Sequence, residues 1–357
     1  MGERDVILDY TLASVKEYPV QSAHRLMEVM IAEGIATKKK TDDDKVIYVG
    51  DLTDKQGVSQ CLNELDIALK SVEKWEIEKN YKYSMLFEFS GFEESKLEEL
   101  ITEGKIITYE DNEECEDLYS VIQNPSLLKT DEEYIFKYNL KLEATDVFGN
   151  ELRKRYPILA IFNISESIME IRFDSVSANF SKDKFKFAKS VLEWLRKFMC
   201  LEIKAMDLLF IAEWIKKNGK EDGVILAGQD MIMSGGGKAT IDIGKSTQQI
   251  LPFIGELKNI MEEYSEEFEK AENIRNVLEE FIYEKENLSE FPWVKFKFED
   301  KNIEVKFTFD YGPESGCLLQ HFHSGLKANQ GRERMDYVTS YIAKVRNIIA
   351  ELPDEEE

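Results

Sequence analysis

The stretch that decides the fold is 156-YPILAIFNISESIMEIRFD-174, which leads into a predicted helix that ends near Met199. Residues 157–164 form a dense apolar run, as expected of a strand that is covered on both faces. Residues 168–174 then alternate, with Glu170 and Arg172 set against apolar neighbours, which predicts a strand with only one buried face. From Phe185 onward apolar residues recur with the i, i+3, i+4, i+7 spacing of a helix packed on a sheet.

The segments on either side extend this sheet. Residues 134–147 alternate as a long strand, and Gly149-Asn150 turns the chain back, which predicts an antiparallel meander. Residues 291–298 and 303–309 predict a hairpin further along the chain. The expected fold class is therefore α+β, with a central, mostly antiparallel sheet and helices packed on it.

The N-terminal residues predict a small α/β cap. Residues 20–33 have helical periodicity and Gly34 stands at the usual stop position, followed by two short strand-like runs. This order of helix, glycine and charged hairpin between Ala23 and Thr53 resembles a winged-helix module. A generic α+β cap explains the same residues.

Three domains are predicted from these patterns. The cap occupies residues 1–76, and the central sheet with its helices occupies residues 77–250. Residues 251–357 form a helical C-terminal region that also contains the hairpin and an acidic tail. Within it, residues 252–286 predict a long helical stretch that is heavily acidic on its outer side.

The charge of the chain limits its partners. It has 70 acidic against 46 basic residues and a formal charge of −24, which disfavours nucleic acid and anionic membranes and favours a protein partner with a basic surface. A homo-oligomer is also compatible with the sequence. Four cysteines without CxxC spacing and the lack of a signal-peptide pattern predict a cytoplasmic protein that does not bind membranes.

Residues 316–334 form a neutral-to-basic island in this acidic chain. Cations and histidines of this kind can bind an anionic ligand or an acidic partner surface, which includes the alternative of a nucleotide or DNA sensor. Two histidines at i, i+2 could also ligate a metal, and a polar loop at a subunit interface explains the same composition. The candidate binding residues are His321, His323, Lys327, Arg332 and Arg334.

Two Glu-x-Lys pairs suggest a metal-dependent nuclease or another phosphoryl-transfer enzyme. In such sites carboxylates hold Mg²⁺ and a lysine polarises the attacking water. Surface charge pairs explain the same residues in a chain with 32% charged residues. One candidate set is Asp174, Glu202 and Lys204, and the other is Asp300, Glu304 and Lys306.

The function expected from the sequence is that of a non-enzymatic binding or assembly subunit in a bacterial-type cytoplasmic system. The glycine run at 234–237 precedes a strand instead of a helix, so it does not fit a phosphate-binding loop. The residues suggest no catalytic triad, and no cofactor is expected apart from Mg²⁺ in the nuclease alternative. A composition rich in Lys, Ile and Glu would suit an accessory protein of a mobile element or of antiviral (phage) defence.

Overall fold

The computed structural model describes residues 3–41, 43, 45–109, 118–181, 183, 185–232, 238–242, 252–287, 291–309, 316–322 and 331–352. Helices and strands are both abundant, which confirms the predicted α+β class. The chain forms two compact units, Met1–Lys204 with His323–Thr339 and Ala205–Phe322 with Ser340–Glu357. The three domains predicted from the sequence, with boundaries after residues 76 and 250, stay a prediction.

The helices are α1 (Glu3–Glu17), α2 (Val20–Ala32), α3 (Asp54–Glu64), α4 (Ile67–Glu78), α5 (Glu94–Thr102), α6 (Lys186–Trp194), α7 (Leu208–Asn218), α8 (Pro252–Glu263), α9 (Ser265–Glu269), α10 (Glu272–Asn287) and α11 (Glu333–Glu351). The strands are β1 (Ala36–Thr37), β2 (Ile47–Tyr48), β3 (Tyr83–Ser90), β4 (Ile107–Thr108), β5 (Ser126–Lys129), β6 (Glu133–Thr145), β7 (Glu151–Asn163), β8 (Ile168–Phe173), β9 (Glu202–Ala205), β10 (Val224–Ile232), β11 (Lys238–Asp242), β12 (Trp293–Phe298), β13 (Ile303–Thr308) and β14 (Leu318–Phe322).

The N-terminal helices pack around a core of their own. The predicted helix at 20–33 is α2, and its residues Leu26, Met27 and Met30 are buried. The winged-helix resemblance is not confirmed, because β1 and β2 pair in parallel, whereas a wing is an antiparallel hairpin. Each of these strands is only two residues long, so the sequence pattern contains too little information to predict whether they pair parallel or antiparallel.

The sheet of the first unit follows the order β3-β8-β7-β6-β5-β4, and β9 pairs with β3. Strands β6, β7 and β8 pair antiparallel in chain order, which confirms the predicted meander. The β6–β7 ladder is long, from Glu133↔Asn163 to Thr145↔Glu151. At its turn the Asp146 carboxylate accepts hydrogen bonds from the backbone N–H groups of Phe148 and Asn150, both at 2.8 Å. This turn leaves Val147 and Phe148 88% and 86% exposed.

One face of this sheet is apolar and is covered by the helix predicted from residues 185–199. The rows across the strands include Phe136, Ala160 and Ile171, which lie opposite one another in register. The rings of Tyr138 and Trp194, 5.6 Å apart, join the sheet to α6. Apolar rows of this kind supply most of the free energy that holds a helix on a sheet.

The opposite face of the same sheet carries charges, and they are buried too. Lys137 of β6 and Arg155 of β7 lie beneath α4, where they pair with Glu73 and Glu76. Each of the four is at most 4% exposed. The Nε atom of Arg155 is 3.1 Å from both carboxylate oxygens of Glu76. Such a group is tolerated in a protein interior only because two cations meet two anions with good hydrogen-bond geometry.

The prediction that β8 has one solvated face is wrong. Glu170 and Arg172 are 2% and 1% exposed, because the first turns of α11 cover them. The Nη2 atom of Arg172 donates to Glu170 at 2.6 Å and to Asp336 at 2.7 Å, and Thr339 donates to Glu170. Burial works against the charge of Arg172, but Glu170 and Asp336 outweigh it and raise its pKa. The alternating pattern correctly predicted which residues of β8 are polar, but it did not predict that a helix buries them.

Pro157 lies inside β7, where a proline is unusual. Its partner in β6 is Asn139, whereas β8 pairs with β7 only from Leu159 onward. Pro157 therefore lies outside the β7–β8 ladder. At this position β7 has no β8 partner that would need a backbone N–H group, so a proline is tolerated.

The second unit contains an antiparallel sheet in the order β11-β10-β12-β13-β14. The predicted hairpin at 291–309 is confirmed by six paired positions between β12 and β13. Both strands alternate strictly between buried and half-buried residues. Strand β14 was not predicted, since its residues belong to the basic island at 316–334.

The glycine run at 234–237 and the acidic tail lie outside the described residues. No helix in the described part of the chain is long and apolar enough to cross a membrane.

We predict that Arg172→Met destabilises the protein by about 3–5 kcal/mol, because it leaves Glu170 buried without its cation. Urea unfolding followed by circular dichroism measures the change. Arg153→Met is the matched control, since Arg153 is 44% exposed and its loss should cost less than about 0.5 kcal/mol. Equal effects of the two substitutions would contradict a structural role for the buried pair.

Candidate functional site: an exposed apolar stripe on an acidic helix

The described residues of the basic island differ in their surroundings. His321 lies in β14 opposite Val305 and is only 4% exposed, so its ring belongs to the buried face of the second unit's sheet. His323 and Lys327 lie outside the described residues. Arg332 and Arg334 belong to the first unit, whereas His321 belongs to the second.

Arg332 is engaged inside its own unit. Its Nε atom donates to Asp336 at 2.9 Å and its Nη2 atom to Glu133. Burial opposes the charge, but Asp336 and Glu133 outweigh it and raise the pKa of Arg332. Arg334 is half-buried, and burial lowers its pKa. Neither side chain is an ordinary exposed charge, and Arg332 in particular ties the start of α11 to β6.

The first nuclease set is not brought together. Asp174 accepts a hydrogen bond from the backbone N–H of Lys82 at the start of β3, and it pairs with Lys79. Glu202 accepts one from Ser90 at the end of β3. Eight residues of strand separate these two contacts, which corresponds to about 25 Å. Lys204 is exposed and follows Glu202 on β9.

The second nuclease set lies on the β12–β13 hairpin of the second unit. Glu304 is directly opposite Lys297, as expected of a cross-strand charge pair. The ammonium group of Lys306 lies 3.9 Å from the centre of the Trp293 ring, a cation–π contact. Asp300 is exposed in the turn. Among the residues that the structure describes, no group of three or more His, Cys, Asp or Glu side chains is placed to hold a metal ion.

A different feature, on α10, has the properties of a binding surface. Ile274, Val277 and Phe281 are 58%, 64% and 39% exposed, and their i, i+3, i+7 spacing puts them on one side of the helix. We call these three residues the apolar stripe. In a globular protein a stripe with this spacing normally faces the core.

Among the residues that the structure describes, the apolar side of α10 is fully buried at the edge formed by Ile282, and Leu278 is half-buried. Ile282 packs with Met231 of β10 and Ile254 of α8, in a small core that also includes Leu257 and Met261. The three residues of the stripe keep a large part of their surface exposed. A cavity of about 400 Å³ adjoins it, lined by side chains of α8, α9 and α10 such as Phe268 and Tyr283.

The residues around the apolar stripe are strongly acidic. Residues 252–287 contain eleven glutamates against four lysines and arginines. On α10 itself Glu280 is exposed, and Glu279 is paired with Arg275 at 2.7 Å. The three helices therefore combine a patch of exposed apolar surface with a negative local field, two features that together are typical of protein-binding surfaces.

The sequence carried part of this signal. The positions 274, 277, 278, 281 and 282 follow the i, i+3, i+4, i+7, i+8 rule, and the acidic outer side of this stretch was predicted. Periodicity does not tell which part of an apolar face is covered by the rest of the chain. Exposure could be read only from the structure.

Comparison of the chain with protein-family models finds no match, and comparison with curated proteins finds none at a significant level. Function is therefore inferred from the residues themselves.

We predict that Arg332→Glu destabilises the protein by about 2 kcal/mol, between the values typical of exposed and of buried ion pairs. The substitution removes two charge-assisted hydrogen bonds and adds a carboxylate beside Asp336 and Glu133. Arg332→Lys is the conservative control and should retain most of the stability. Urea unfolding of the full chain measures both variants, and an unchanged midpoint for Arg332→Glu would show that the two ion pairs contribute nothing.

Proposed function

We propose that the protein is a non-enzymatic binding or assembly subunit that docks a partner protein on the apolar stripe of α10. The observation that carries this proposal is the exposure of Ile274, Val277 and Phe281 on a regular helix. Single exposed apolar residues are common on protein surfaces, whereas several on one side of one helix form a contiguous patch of the kind that marks binding sites.

The stability of α10 supports the same proposal. A helix of 16 residues is marginal in water by itself and gains most of its stability from the burial of an apolar face. In the described part of the chain Ile282 is the fully buried residue of that face, at one of its edges. A bound partner would cover the rest, and each aliphatic side chain that it buries would contribute about 1.5–3 kcal/mol to binding.

The acidic surroundings favour specificity over indiscriminate association. Glutamates beside an apolar stripe keep the surface hydrated in the free protein and repel partners with acidic surfaces. The net charge of −24 acts in the same direction at longer range. The apolar stripe supplies affinity in this arrangement, and the charges select the partner.

We predict that the double substitution Ile274→Ser with Val277→Ser abolishes partner binding without loss of folding stability. Serine, isoleucine and valine have similar helix propensities, and both side chains are exposed, so the free energy of unfolding should change by less than about 1 kcal/mol. A photo-crosslinking residue at Asn273, one turn before Val277, reports on the partner in cells that make the protein.

The expected result is a discrete cross-linked adduct that disappears in the serine variant and persists in a matched control. The control is Val147→Ser with Phe148→Ser, which removes two equally apolar and more exposed side chains at the β6–β7 turn. Equal adducts in all three proteins, or none in the unsubstituted one, would refute the proposed function.

A further inference from the structure

We infer that the partner segment bound by α10 is a cationic amphipathic helix of a different protein. This inference rests on the proposed function and specifies the chemistry of its partner. It draws on three observations: the shape of the apolar surface, the charges beside it and the charge of the chain as a whole.

The apolar side of α10 has the shape that another helix fits. At 100° per residue, Val277, Phe281, Ile274, Leu278 and Ile282 cover an arc of about 140°, of which Ile282 occupies the buried edge. The exposed part runs for about two turns, or roughly 10 Å, along the helix. A narrow ridge of this kind packs into the groove between side chains of a second helix, which is a common mode of peptide recognition.

The charges beside the stripe specify a basic partner. Glu280 lies beyond Val277 at the exposed edge of the apolar arc, whereas Glu279 with its partner Arg275 lies beyond Ile282 and lines the cavity beside α8 and α9. In paired helices the residues that flank the apolar seam face each other and determine which partners associate. Lysines or arginines at the flanking positions of the partner would meet the glutamates of residues 252–287, which outnumber the cations eleven to four.

The same charges disfavour a second copy of this chain as the occupant. Two copies joined stripe to stripe would place one acidic helical segment against another. Like charges that face each other across an interface cost binding free energy, and a net charge of −24 on each copy slows their encounter. A basic helix gains from both effects.

The test uses the full chain and a fluorescein-labelled peptide of about 18 residues, made only of leucine and lysine with leucine at helical spacing. Two further probes are a scrambled peptide of the same composition and a peptide with glutamate in place of lysine. Fluorescence anisotropy gives each dissociation constant, first for the unsubstituted protein and then for Ile274→Ser with Val277→Ser. The Val147→Ser with Phe148→Ser variant is the control.

The leucine–lysine peptide should bind at least about tenfold more tightly than either other probe. The stripe variant should lose about tenfold or more in affinity, because two aliphatic contacts disappear, whereas the control variant should bind as the unsubstituted protein does. Raising the salt concentration from about 0.05 M to about 0.5 M should weaken binding severalfold.

Equal binding of the amphipathic and scrambled peptides, or binding that the stripe variant does not weaken, would overturn the inference, since the attraction would then be non-specific charge. A dimer in sedimentation equilibrium that the stripe variant abolishes would also overturn it and would identify a second copy as the occupant. That outcome would leave the proposed function standing. The proposed function itself fails only if cross-linking at Asn273 gives no stripe-dependent adduct.

Discussion

The sheet of the first unit depends on the pairing of charges that lie on one of its two buried faces. Arg155 and Lys137 meet Glu73 and Glu76 beneath α4, and Arg172 meets Glu170 and Asp336 beneath α11. Each group would be costly to bury alone, so the helices and strands that carry them must adopt one arrangement to satisfy them all. The apolar face supplies the larger share of the free energy, whereas the charged face restricts the register in which the helices can dock.

The second unit shows the opposite situation, in which apolar side chains remain exposed instead of charges becoming buried. Helix α10 buries Ile282 against β10 and α8 and leaves Ile274 and Val277 in solvent. Buried charges and exposed aliphatic side chains both depart from the usual pattern, in which apolar residues lie inside a protein and charged residues lie on its surface. The first is explained by local pairing, and the second is the observation on which the proposed partner contact rests.

Much of this fold could be predicted from periodicity, but little of the candidate site could. The β6–β8 meander, the β12–β13 hairpin and the helix at α2 each have a local signal that tertiary contacts did not override. Glu170 and Arg172 were assigned to solvent because alternation reports which side chains are polar, not whether a helix covers them. His321 was misjudged in the same way, since a polar composition concealed a buried position in β14. The stripe on α10 has the sequence of a buried face, and only its exposure in the structure distinguishes it.

Pro157 has a consequence for how the protein can associate with others. Long hairpins with unpaired backbone groups invite the strands of other molecules, and this is a common route to aggregation. The part of β7 that extends beyond β8 is covered by α1, since the Ser14 hydroxyl accepts a hydrogen bond from the backbone N–H of Arg155 at 2.9 Å and donates one to the carbonyl oxygen of Arg155 at 3.3 Å. Pro157, two residues further on, has no N–H group to offer, so helix and proline together close this edge to the strand of another molecule.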